Sequence, residues 1–220
     1  MSQNKLFVEN FFATPIFYGA VEDINFQTRL LELVEECESR GWFKQEVSTT
    51  TEEYSKKQSI IDNDTTASTV HHQPIEDILH DYTDVKDVIV KYTEAYLDNI
   101  ETPERDLEVS ASWLHRAGKN DTVGWHHHGY TTNRISGVYY IKTTGGFNGG
   151  RTLFRTPNPY DSSFTNLGQK TFQPVVGFRP KERNMLMWPS WLQHRTTPNY
   201  DGDPRIIMSF NIDIKYHHER

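Results

Sequence analysis

Leu107-Glu108-Val109-Ser110-Ala111-Ser112-Trp113 alternates apolar and polar residues without a break. Successive side chains of a strand point to opposite faces, so this stretch reads as a strand with one buried face. It follows Pro103 and marks a change in the pattern of the chain. Upstream, apolar residues recur at helical spacing. Phe26, Leu30, Leu33, Val34 and Cys37 share one face of a helix expected over Asn25 to Arg40, which Gly41 ends. Ile78, Tyr82, Val85, Ile89, Tyr92 and Tyr96 do the same for a second helix expected from Pro74 to Asn99, with Pro74 suited to its first turn. Downstream come short runs of β-formers at Val138–Ile141, Thr152–Phe154, Phe172–Phe178, Asn184–Trp188 and Arg205–Lys215. Gly145–Gly150 reads as a turn and Pro157–Gln169 as a loop. Two helices followed by many strands describe an α+β chain built on a β-sandwich or barrel. Phe7 to Tyr18 reads as an extended entry segment, and Glu46 to Thr69 as a polar loop or weak strands.

Composition narrows the function. A chain of 220 residues suits one well-buried domain, with no linker or internal repeat to divide it. We expect a single domain over 1–220, with a helical part to about residue 103 and a strand-rich core over about 104–216. A net charge of -7 with scattered basic residues argues against a nucleic-acid binder. The single cysteine, Cys37, excludes an internal disulfide and suits a reducing cytoplasm. Neither a signal peptide nor an apolar run of membrane-spanning length is expected.

Chemistry enters at Trp125-His126-His127-His128-Gly129. On a strand, His126 and His128 would point the same way and could grip one metal, with His127 turned away. A distant third histidine, His194, follows Trp188-Pro189-Ser190-Trp191-Leu192-Gln193. Three such ligands on one face of a metal leave positions open, as in non-haem iron oxygenases. The usual third ligand there is a carboxylate, where this chain has His128. Arg205 opens the strand after the turn Asn199–Pro204. A guanidinium directed into a barrel needs an anionic partner, and its fork matches a carboxylate. Two plainer readings are available: an exposed histidine run, and Arg205 paired with Asp201 or Asp203 at the surface. His71, His72, His80, His217 and His218 read as structural or exposed.

From about Ser110 to Asn211 the chain resembles the 2-oxoglutarate and Fe(II)-dependent dioxygenase superfamily. It is most similar to the prolyl-hydroxylase-like branch and to small oxygenases of that kind from marine phages and bacteria. Val138-Tyr139-Tyr140-Ile141, Gly149-Gly150, Trp188 to His194, and Arg205 occur in that family's order. The resemblance implies a double-stranded β-helix, or jelly roll, with the two helices packed on it. It makes His126 and His194 iron ligands, with His128 standing where much of the superfamily has Asp. It gives Arg205 the distal carboxylate of 2-oxoglutarate, assisted by Tyr140, and places His115 on the wall of the cosubstrate pocket. The implied activity is a hydroxylase that uses Fe(II), 2-oxoglutarate and molecular oxygen. Its substrate is a small molecule or a protein side chain, and it works in the cytoplasm, a host's if phage-encoded. The rival readings are a cupin-like dioxygenase with three histidines and no 2-oxoglutarate, and a non-catalytic jelly-roll module of a phage particle.

Overall fold

The structure, a computed structural model, describes residues 13–45, 68–70, 77–129, 134–143, 149–157 and 174–217. The first helix, α1, spans Ile24–Ser39. Asp23 caps it by accepting from the Phe26 amide at 3.1 Å. Its apolar face (Phe26, Leu30, Leu33, Val34, Cys37) is fully buried, as the periodicity requires. Each large side chain so buried stabilises the fold by about 1.5–3 kcal/mol.

The second helix, α2, spans Thr83–Asn99 and starts well after the expected Pro74, which lies outside the described residues. Residues 77–82 are turn and bridge instead. The Asp77 carboxylate accepts from the Leu79 amide and the Ser112 hydroxyl and pairs with Lys86. The Ile78 amide donates to the Ser112 carbonyl at 3.0 Å. These anchors tie the segment to the neighbouring strand and override its helical period. Ile78 is still buried, so the apolar period continues past the start of the helix.

The described residues form ten strands, in chain order β1 (Phe17–Ala20), β2 (Lys44–Gln45), β3 (Ser68–Val70), β4 (Arg105–Ala117), β5 (Arg134–Lys142), β6 (Thr152–Arg155), β7 (Val175–Phe178), β8 (Asn184–Pro189), β9 (His194–Thr196) and β10 (Arg205–Tyr216). Seven form one sheet in the order β1-β8-β5-β10-β4-β3-β2, and three form a second in the order β7-β6-β9. All pairings between these strands are antiparallel. Of the extended entry expected over Phe7 to Tyr18, residues 7–12 lie outside the described set, and only Phe17 and Tyr18 belong to β1. Of the polar stretch Glu46 to Thr69, the described residues, 68 and 69, belong to β3. Of the run Phe172–Phe178, residues 172 and 173 lie outside that set and β7 begins at Val175. The loop over Pro157–Gln169 and the turn at Gly145–Gly150 lie largely outside it too. Strand β9 was not anticipated, because three residues are too few to show alternation.

Alternation along the central strand β10 gives the large sheet two characters. Ile206, Met208, Phe210, Ile212 and Ile214 join the helices in the main core. Ile207 faces the other way, into a second core with Val138, Tyr140, Leu186, Trp188 and Phe154 of the small sheet. Helices therefore cover one face and the small sheet covers the other. Gly137 of β5 lies opposite Phe210, and a Cβ there would stand 2.4 Å from the ring and 3.0 Å from Met187 Cγ. Gly137→Ala is expected to cost about 1–3 kcal/mol by overpacking, read as a lower midpoint in thermal denaturation.

Candidate metal and cosubstrate site

The three histidines come together on the face opposite the helices. His126 does not lie on a regular strand, as alternation had suggested. It forms an isolated antiparallel bridge with His194, at the start of β9. The two residues exchange both backbone bonds, each N–H···O at 2.9 Å. The His128 amide donates to the Ser190 carbonyl at 2.9 Å. Main-chain bonds thus place all three ligand candidates, and alternation still holds locally. One ring nitrogen from each of His126, His128 and His194 lies within 4.8 Å of the others. His127 is left out of this set: its ring is 1% exposed, and its Nδ1 accepts from the Gly129 amide at 3.1 Å.

The ring orientations fit a metal. His126 Nδ1 lies 2.8 Å from the Gly124 carbonyl, and His194 Nδ1 lies 2.9 Å from the Leu192 carbonyl. A carbonyl only accepts, so both Nδ1 atoms carry the proton and both Nε2 atoms keep a lone pair. Burial, then the neighbouring His126, holds the His128 imidazole well below its ordinary range. Burial does the same to His194. Neutral imidazoles are the form that binds a metal. Aromatic rings wall the cluster: Trp188 lies 4.6 Å from His194 and Trp113 lies 5.4 Å from His128, centroid to centroid.

Arg205 sits on the same face at one end of β10. It is 3% exposed, which removes the surface ion pair from consideration. Among the described residues its Nε and Nη1 have no hydrogen-bond partner. Burial pushes the guanidinium below its ordinary value, with Tyr140 acting weakly in the other direction. Tyr140 is fully buried, with its hydroxyl 2.8 Å from Thr152 Oγ1. Burial pushes that phenol up to about 12, so it stays protonated. Tyr139 points to the helices, with its hydroxyl donating to Gln27 Oε1 at 2.7 Å, so only Tyr140 of the pair serves this face. His115 flanks Ile207 from β4 as Tyr140 does from β5, and its Nε2 accepts from Trp113 Nε1 at 2.6 Å. Of the histidines read as bystanders, His80 is exposed and His217 pairs with Asp106 at 3.0 Å, while His71, His72 and His218 lie outside the described residues.

Three contributors escape a residue-type reading: Thr152, Ser190 and Gly150. Gly150 has φ +73, and a Cβ on it would stand 2.6 Å from Arg205 Nη1 and 2.9 Å from the Thr197 carbonyl. Only glycine permits this φ cheaply and leaves the guanidinium its space. Gly150→Ala is expected to lower 2-oxoglutarate affinity at least tenfold while leaving bound iron unchanged, measured by titration and metal analysis.

Residues 111–211, just under half of the chain, match the family described as "Putative 2OG-Fe(II) oxygenase". That segment contains all three histidines and Arg205. No curated protein matches the chain by sequence. Among solved structures, a Pseudomonas putida prolyl-4-hydroxylase superposes with a TM-score of 0.59 at 11% identity, covering 92% of this chain and 94% of that one. HygX from Streptomyces hygroscopicus, bound to nickel, 2-oxoglutarate and hygromycin B, gives 0.53 at 9% identity, covering 91% and 83%. A Trichoplax adhaerens prolyl hydroxylase, in complex with a hypoxia-inducible-factor peptide fragment, gives 0.52 at 14% identity, covering 90% and 83%. Identities this low speak for shared fold alone. The matched segment is thus similar to the 2-oxoglutarate and Fe(II)-dependent oxygenases, and the fold of the chain is like that of the prolyl hydroxylases.

Proposed function

We propose that the chain is a 2-oxoglutarate-dependent non-haem Fe(II) dioxygenase, a hydroxylase, built as one jelly-roll domain over 1–220. His126, His128 and His194 hold the iron. Arg205 binds the far carboxylate of 2-oxoglutarate, with Tyr140 beside it and His115 on the pocket wall. When bound, iron and 2-oxoglutarate supply the oxidant, with decarboxylation of the cosubstrate to succinate.

The observation that carries the reading is Arg205, a buried guanidinium with unpartnered donors on the same face as a three-histidine cluster. Such a charge is costly to bury alone and is stabilised by a carboxylate that takes both arms of the fork. None of the three ligand candidates is anionic, so the site would carry the full metal charge, which the cosubstrate dianion would offset. Tyr140, held protonated, can donate to the same carboxylate. The Nδ1–H bonds of His126 and His194 fix both rings in the ligating tautomer. Trp113, Trp188 and Phe154 line the histidine cluster with aromatic rings, which would disfavour water at a bound metal. A three-histidine cupin without 2-oxoglutarate leaves Arg205 unexplained, and so does a structural module.

No helix among the described residues is long and apolar enough to cross a membrane. Of the structures named above, HygX was solved with hygromycin B and the Trichoplax adhaerens enzyme with a peptide fragment, and either class of substrate fits this reading. The test is an anaerobic titration of the Fe(II) protein with 2-oxoglutarate, following the visible metal-to-ligand charge-transfer band. A saturable band supports the reading; its absence, with iron bound, returns the site to the cupin class.

A further inference from the structure

We propose that the end of the inner face remote from Arg205 is the substrate pocket, and that it recognises the head group of a free α-amino acid. The inference rests on the oxygenase reading above and extends it to substrate class. Its geometry comes from strand alternation. Ile135, Ile212 and Ile214 lie in the core against the helices, as does Val109. Their neighbours Arg134, Asp213 and Glu108 therefore point to the opposite side, that of the histidines. The order along β10 is Arg205, Ile207, Ser209, Asn211, Asp213. Trp113 lies opposite Ser209 and packs on His128, so the histidines stand over the middle of this row. Arg205 is on one side of them, and Asn211 and Asp213 are on the other. Ser190 links the two regions: its carbonyl takes the His128 amide, and its own amide donates to the Arg134 carbonyl at 3.0 Å.

The chemistry of that far end is specific. Ser136 Oγ donates to Asn211 Oδ1 at 2.8 Å and lies 2.8 Å from Ser190 Oγ. Asn211 is 7% exposed, and its oxygen is engaged. Its amide nitrogen donates to no group among the described residues and can take an acceptor. One step outward, the Arg134 fork meets Asp213, with Nη2–Oδ2 at 3.0 Å, and both side chains remain about a third exposed. Glu108 lies opposite Asp213 on β4, exposed and without an ion partner among the described residues. One cation and two carboxylates thus sit on three adjacent strands, about 5 Å from one to the next. A free α-amino acid carries its carboxylate and ammonium on a single carbon. Its carboxylate fits Arg134 and the Asn211 amide, and its ammonium fits Asp213 and Glu108. The interior of a peptide has neither charge and leaves this row unmatched.

The test uses the full chain loaded anaerobically with Fe(II) and 2-oxoglutarate. Calorimetry measures binding of the common free L-amino acids, and of the N-acetyl and carboxamide forms of any that bind. At least one free amino acid is expected to bind, with each blocked form at least tenfold weaker. Arg134→Gln and Glu108→Gln are expected to weaken it by a similar factor, with the 2-oxoglutarate midpoint unchanged. Glu108 is exposed, so Glu108→Gln stays folded and carries the test where Arg134→Gln is destabilised. A charge-transfer band with no amino acid bound overturns this proposal and leaves the oxygenase reading standing. Equal binding of blocked and free forms, or full affinity in Glu108→Gln, overturns it too. Absence of the band removes both.

Discussion

Arg205→Ala is expected to raise the dissociation constant of 2-oxoglutarate by about thirtyfold to several thousandfold. Truncating one partner of a desolvated charge pair costs about 2–5 kcal/mol, and each 1.4 kcal/mol is about tenfold. The effect belongs at the high end because Arg205 is 3% exposed, where water replaces a lost contact poorly. Arg205→Lys should recover only part of the loss. An ammonium is a point charge, and it cannot reproduce two parallel bonds to a carboxylate. Iron content should match the wild type in both variants, because Arg205 is no part of the histidine cluster. The charge-transfer titration reads the affinity, and an unchanged midpoint in Arg205→Ala refutes the carboxylate assignment.

Iron retention should collapse in His126→Ala and in His194→Ala. Even partners that merely orient a ligand are worth roughly 10–100-fold in metal affinity, and loss of a ligand exceeds that. Metal analysis after anaerobic loading decides it: full occupancy in both variants sinks the triad. His128→Ala should behave like them, whereas His128→Asp supplies an anionic ligand and should hold iron more firmly than the wild type. His127→Ala should keep the metal. It is not a silent change, however, because it empties a buried ring position and strips the Gly129 amide of its acceptor. We expect about 1–3 kcal/mol of lost stability without loss of iron.

The histidines and Arg205 were legible because their chemistry is rare and their order along the chain is fixed. The helix α1 was legible because a cap, an apolar stripe and a terminating glycine agree. The start of α2 was not, because Asp77 and Ile78 are bound to Ser112, some 35 residues away, and no local pattern records that contact. The bridge between His126 and His194 escaped notice for the same reason. Alternation put His126 and His128 on one side even though the segment is not a strand, because main-chain bonds hold it locally extended. Gly150 shows a third kind of blindness. Its place in the motif was visible, but its purpose, leaving room for Arg205, depends on a neighbour far along the chain.

The pair of main-chain bonds between His126 and His194 joins points roughly 70 residues apart. A metal held by the same two side chains would close that loop a second time, as a removable cross-link. In the chain-entropy account, closing a loop of this length restricts the unfolded chain by about 4 kcal/mol. The ion would then act as a clasp on the small sheet as well as a reagent. Chelation should therefore loosen β6, β7 and β9 first, with faster amide exchange there than in β5 and β10, and oxidative loss of iron would hand the protein to proteases from that side.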